Sequence, residues 1–90
     1  GPMNFAHRVE MVAAEKARVE GDLDAAKAHL DRAIAGARAG AWLNDLGVAL
    51  GLAACHHELR GDLGAAESAR AEAREVLSAW GARAMVERLG

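Results

Sequence analysis

A chain of 90 residues has room for one domain, and one Phe, two Trp and no Tyr against abundant alanine leave closely approaching helices to build its core. Its 11 basic and 13 acidic residues, with an isoelectric point near 6.1, give no electrostatic footprint for nucleic acid or an anionic membrane. A single cysteine, Cys55, cannot close an internal disulfide, and with no signal peptide or membrane span in the sequence a reducing, cytoplasmic setting is expected.

Gly1-Pro2 before Met3 reads as the remnant of a cleaved tag, so residues 1–3 stand outside the expected domain of 4–89. From about Asn4 to Glu20, Phe5, Val9, Val12, Ala13 and Ala17 recur at helical spacing among Arg8, Glu15, Lys16 and Arg18, with Asn4 as a candidate N-cap. Gly21 offers a stop and Asp22 a cap. A second helix to about Ala39 follows, with Leu23, Ala26, Leu30, Ala33, Ile34 and Ala37 on one stripe. Gly40 is expected to break it. The third helix, about Ala41 to Arg60, carries Trp42, Leu43, Leu46, Leu50, Ala53 and Leu59, and is expected to be the longest and most buried. Between Asp45 and Glu58 it holds no formally charged residue, so it needs neighbours on more than one side. Gly61 and Asp62 repeat the stop and cap, and Leu63, Ala66, Ala69, Ala73, Val76, Leu77 and Trp80 mark a fourth helix. Gly81 is expected to interrupt it, leaving Ala82 to Leu89 as a short fifth helix that lays Val86 and Leu89 on the bundle.

Gly21-Asp22-Leu23-Asp24-Ala25-Ala26 and Gly61-Asp62-Leu63-Gly64-Ala65-Ala66 match across an offset of 40, and Ala14, Ala26 and Ala33 have counterparts in Ala54, Ala66 and Ala73. Small residues at matched positions predict close helix crossings, where a larger side chain costs ~1–3 kcal/mol. The Gly-Asp-Leu turn, with its spaced alanines, resembles the tetratricopeptide repeat (TPR). The resemblance implies an all-α array of two antiparallel hairpins, about 4–39 and 41–80, in a right-handed arrangement with a C-terminal capping helix. Asn4-Phe5-Ala6-His7, Ala14-Glu15 with Ala17-Arg18, Leu30-Asp31-Arg32-Ala33-Ile34 and Trp80-Gly81-Ala82-Arg83-Ala84 further resemble the TPR segments of large bacterial signalling proteins. Those proteins are hybrids of kinase, ATPase, GAF and histidine-kinase regions, or related ATP-dependent transcription regulators. The resemblance implies an inner surface drawn from Arg8, Met11, Glu15 and Arg18 in the first repeat and Val48, Gly51, Cys55 and Leu59 in the second.

Glycine inside a helix costs ~1 kcal/mol relative to alanine, so Gly47 and Gly51 call for a compensating close approach. With Val48, Cys55 and Leu59 they form a smooth apolar strip that suits either another helix of this chain or a partner. Cys55-His56-His57-Glu58 is the one cluster that invites a chemical reading, but consecutive helix positions point ~100° apart and cannot all converge on one metal ion. Cys55 and Glu58 share a face, and His7 or His29 would have to complete the set. No oxyanion loop or phosphate-binding glycine loop is present in the sequence. The expected function is therefore a non-catalytic, cofactor-free protein interaction or self-association module in bacterial signalling. It would bind a protein or peptide, or a second copy, through the strip, and neither nucleic acid nor membrane. The alternatives are a small metal-binding or sensory domain using Cys55 and histidines, and a passive spacer.

Overall fold

The computed structural model describes residues 6–89, with side chains described as far as residue 85. Over that span the chain is all-helical: α1 (Ala6–Val19), α2 (Leu23–Ala39), α3 (Leu43–Leu59) and α4 (Leu63–Leu89). Each helix packs on the next, α1 on α2, α2 on α3 and α3 on α4. Among the described residues no helix is long and apolar enough to cross a membrane. Asn4 and Phe5 lie outside the described residues, as do the side chains of Val86 and Leu89, so the expectations placed on them do too.

The three turns share one hydrogen-bond pattern at intervals of twenty residues. The Asp22 N–H donates to Ala17 O (2.9 Å) and Gly21 N–H to Arg18 O (3.1 Å); Trp42 repeats this to Ala37 (2.9 Å) and Ala41 to Arg38 (3.2 Å); Asp62 repeats it to His57 (2.8 Å) and Gly61 to Glu58 (3.0 Å). This crossed pair of bonds is the Schellman closure, which requires a left-handed residue just past the helix end. Gly21 (φ 82°) and Gly61 (φ 79°) supply it without strain. In the middle turn the left-handed position falls on Ala41 (φ 55°), one residue after the glycine. Gly40 answers a different demand, since a Cβ there would overlap the indole of Trp42. Two of the turns lead into capped helices: Asp22 accepts from the Ala25 N–H (3.1 Å) and Asp62 from the Ala65 N–H (3.0 Å).

Alanine sets the packing. All six matched alanines, Ala14, Ala26, Ala33, Ala54, Ala66 and Ala73, are buried. Where α2, α3 and α4 meet, Ala37, Leu46, Leu50 and Ala73 form a small core, covered by Ile34, Trp42 and Val76. Each leucine so buried contributes ~2 kcal/mol. Side-chain pairs tie neighbouring helices at the rim: Arg60 to Asp24 (2.6 Å), Arg38 to Glu72 (2.9 Å) and Arg70 to Glu58.

The structure corrects the sequence reading in three places. Gly81 does not interrupt α4, which runs 27 residues without a break and displaces α3 as the longest helix. A glycine stops a helix by taking the left-handed conformation with a bond back across the turn, and Gly81 does neither. Second, the buried face of α1 is His7, Ala14 and Ala17, while Val9 and Val12 face outward. The alanine seam against α2 fixes the rotation of α1, and the bulkier valines are left outside it. Third, Leu63 at the start of α4 is exposed, although its place on the apolar stripe of that helix had put it inside. The burial of α3 is as expected: seven of its residues are buried, against three in α1 and four in α2.

Candidate functional site

Because α3 is apolar around most of its circumference, packing covers one side and leaves another. Leu46, Gly47, Ala49, Leu50, Ala53 and Ala54 are buried. Val48, Cys55 and Leu59 are exposed, and Gly51 and Leu52 are half-buried. At spacings of four, three and four, Val48, Leu52, Cys55 and Leu59 draw a nearly straight line along the helix. The two glycines part company here. The space in front of Gly47 is filled by Leu77 of α4, whose Cγ and Cδ2 a Cβ would overlap, whereas nothing lies within 4 Å of where a Cβ on Gly51 would stand. Gly47 thus serves the contact with α4, and Gly51 stays open.

The expected residues of α1 divide between two places. Met11 is half-buried. Arg18 pairs with Glu15, Nη2 to Oε2 at 3.0 Å, and lies within electrostatic reach of Cys55. Arg70 of α4, held by Glu58, does the same from another helix. The strip on α3 is therefore bordered by two guanidiniums, each paired with a carboxylate. Arg8 is drawn away toward the start of α3, where its Nε donates to Asp45 Oδ2 (2.9 Å) and its guanidinium lies 5.9 Å from the centre of the Trp42 ring.

At the start of α3 sits a second cluster, which the sequence reading missed. His7 is buried, and its Nε2–H donates to the same Asp45 oxygen at 2.8 Å, the carboxylate being able only to accept. Its ring lies 5.8 Å from Trp42, tilted by 33°. Gly36 and Gly40, one turn apart on α2, leave room for the His7 Cβ and the Trp42 indole respectively. Burial works to raise the Asp45 carboxyl, but the hydrogen bonds from His7 and Arg8 outweigh it and hold it below the usual carboxylate range. A cleft of about 280 Å³ opens beside this cluster, with Trp42 and Asp45 on one side and Trp80 and Arg83 of α4 on the other. The signal available in the sequence was the cap register: the positions 22, 42 and 62 read Asp, Trp, Asp.

Of the four residues Cys55-His56-His57-Glu58, Cys55 and Glu58 are exposed, His57 is half-buried and His56 is buried with neither ring nitrogen bonded. Burial pushes His56 below its ordinary value, helped by the charge of Arg60. Among the described residues no three His, Cys, Asp or Glu side chains are placed to hold a metal ion. His29 and Glu10 instead join α2 to α1 (2.6 Å), with Arg32 Nε 3.2 Å from the same carboxylate. The hydrogen bond from His29, then that from Arg32, holds Glu10 below the usual range.

No protein-family model matches the chain, and neither the curated proteins nor the solved structures compared with it give a match.

Proposed function

We propose that the chain is a two-repeat, TPR-like array of antiparallel helical hairpins, and that it works as a non-catalytic interaction or self-association module of a bacterial signalling or regulatory protein. The recurrence of one turn every twenty residues and the six buried, matched alanines support the repeat reading. The exposed Val48, Cys55 and Leu59, in line with the half-buried Leu52 and with the open notch at Gly51 between them, carry the functional one. A chain that builds its interior from alanine leaves leucine and valine outside on α3, where a second surface would cover them. The ion pairs Glu15–Arg18 and Glu58–Arg70 border this line and restrict which surfaces can approach.

A second copy of the chain is the favoured occupant, because an isolated pair of repeats exposes the faces on which neighbouring repeats would stack. Multi-angle light scattering on the intact chain and on Gly51→Arg tests this. A dimer that dissociates by at least tenfold in the variant is the expected result. A monomer in both removes self-association as the role of the strip.

A further inference from the structure

The two ends of the seam between α2 and α3 are held by different means. At the turn, residues 40–42 join the helices, and Ala37 packs with Leu46 and Leu50 under Ile34 and Trp42. At the far end the tie is the ion pair of Arg60 with Asp24, whose carboxylate is 91% exposed, and a pair so exposed adds little to stability. His56 lies one turn before Arg60. It is buried, and among the described residues neither of its ring nitrogens finds a partner. The charges felt at the ring come from Arg60 and His57 of α3 and from Lys27 and Asp31 of α2, and the ring is felt in turn at Asp24 of α2. From α4, Arg70 reaches this end of α3 as the partner of Glu58, with Glu67 beside it. A neutral ring can stay in such a place. A proton makes it a buried cation, which needs water or a carboxylate. Both aspartates of α2 are engaged on the solvent side, Asp24 by Arg60 and Asp31 by Lys27 (2.8 Å), so neither serves the ring where it stands.

We propose that His56 is a proton-operated release at the far end of this seam: when the ring is charged, the start of α2 and the end of α3 swing apart about residues 40–42, and the four helices themselves persist. The turn end keeps its apolar cluster, so the motion parts α1 and α2 from α3 and α4 without unfolding either pair. Its direction with pH follows from the burial of the ring. In the closed seam burial disfavours the charged form, whereas in an open one the ring regains its ordinary value of about 6.5. Opening therefore takes up a proton, and the open form gains as pH falls below about 6.5. One titrating group raises the ratio of open to closed by at most about tenfold per pH unit, which sets an upper bound on the response.

Val19 of α1 and Leu63 of α4 are exposed beside the turns that Asp24 and Arg60 bring together. Nitroxide labels on Val19→Cys and Leu63→Cys, with Cys55→Ser to leave no other thiol, read the separation across the opening by pulsed electron spin resonance. At pH 7.5 one short distance is expected. Toward pH 5 a longer one should grow, by up to about tenfold per pH unit, with the helical circular dichroism unchanged. His56→Leu and His56→Met should each hold the short distance at every pH, and His57→Gln should keep the response. A single distance from pH 7.5 to 5, equal growth of the longer one in the His56 variants, its loss in His57→Gln, or a loss of helicity in step with it overturns the proposal.

Discussion

Leu77 of α4 lies in the space that a side chain on Gly47 of α3 would need. The same substitution should therefore act oppositely at the two glycines of α3. Gly51→Ala gains helix propensity in open space and should raise stability by up to about 1 kcal/mol. Gly47→Ala gains the same propensity but pushes Leu77 aside, at a typical overpacking cost of ~1–3 kcal/mol, and should lower stability by about 1 kcal/mol. Urea denaturation of the three proteins measures the difference, and equal shifts would contradict the contact.

Ala41 and Gly40 make a second opposed pair. Ala41 holds the left-handed conformation that the other two turns give to glycine. Ala41→Gly should stabilise by about 0.5–1 kcal/mol, the relief of left-handed strain exceeding the added freedom of the unfolded chain. Gly40→Ala should destabilise, because it displaces the Trp42 indole, and the displacement should appear as altered tryptophan fluorescence in the folded state.

Residues near one another in sequence told most of this fold, and residues far apart told least. Gly21-Asp22 and Gly61-Asp62 announced their turns because left-handed closure and aspartate capping are local chemistry. Gly81 carries the same residue type at the same interval of twenty, yet Trp80 and Ala82 flank it with no cap, and the helix continues. The face of α1 was misread because larger side chains were taken as the inward ones, whereas close helix approach selects Ala14 and Ala17 over Val9 and Val12. The open side of α3 was legible as an excess of apolar residues. The cleft was not, since residues 8, 42–45 and 80–83 meet only when α4 passes Gly81 without turning.

Acid should unfold the protein in two stages of opposite origin. Burial holds His56 below its ordinary value of about 6.5, so the unfolded chain protonates first. Its contribution is complete above about pH 6.5 and declines as pH falls toward the depressed folded value. Asp45 is lowered too, but for a carboxylate stability is present above the unfolded value of about 3.9 and is lost as pH falls through the lower folded one. Melting temperatures between pH 3 and 8 should show the upper decline shrinking in His56→Leu and the lower one in Asp45→Asn.

His56→Leu should also be more stable than the parent at pH 8, by about 1 kcal/mol, because it removes a buried ring whose nitrogens find no partner. The same measurement on His7→Leu should give the reverse sign, since that ring bonds Asp45 and its loss leaves a mostly buried carboxylate with one partner fewer. Loss of stability in both would show that His56 has a partner in solution.

Among the described residues, ten of the thirteen buried apolar ones are alanine and the other three are leucine. Little hydrocarbon leaves water when such a chain folds, so the heat capacity of unfolding should fall below the usual ~12–15 cal/mol/K per residue, and the stability curve should be correspondingly shallow. A flat curve changes little between cold and warm, and its sensitivity to denaturant is low for the same reason. The thermal response of this protein would then be governed by how its helices end and meet more than by how much oil they enclose.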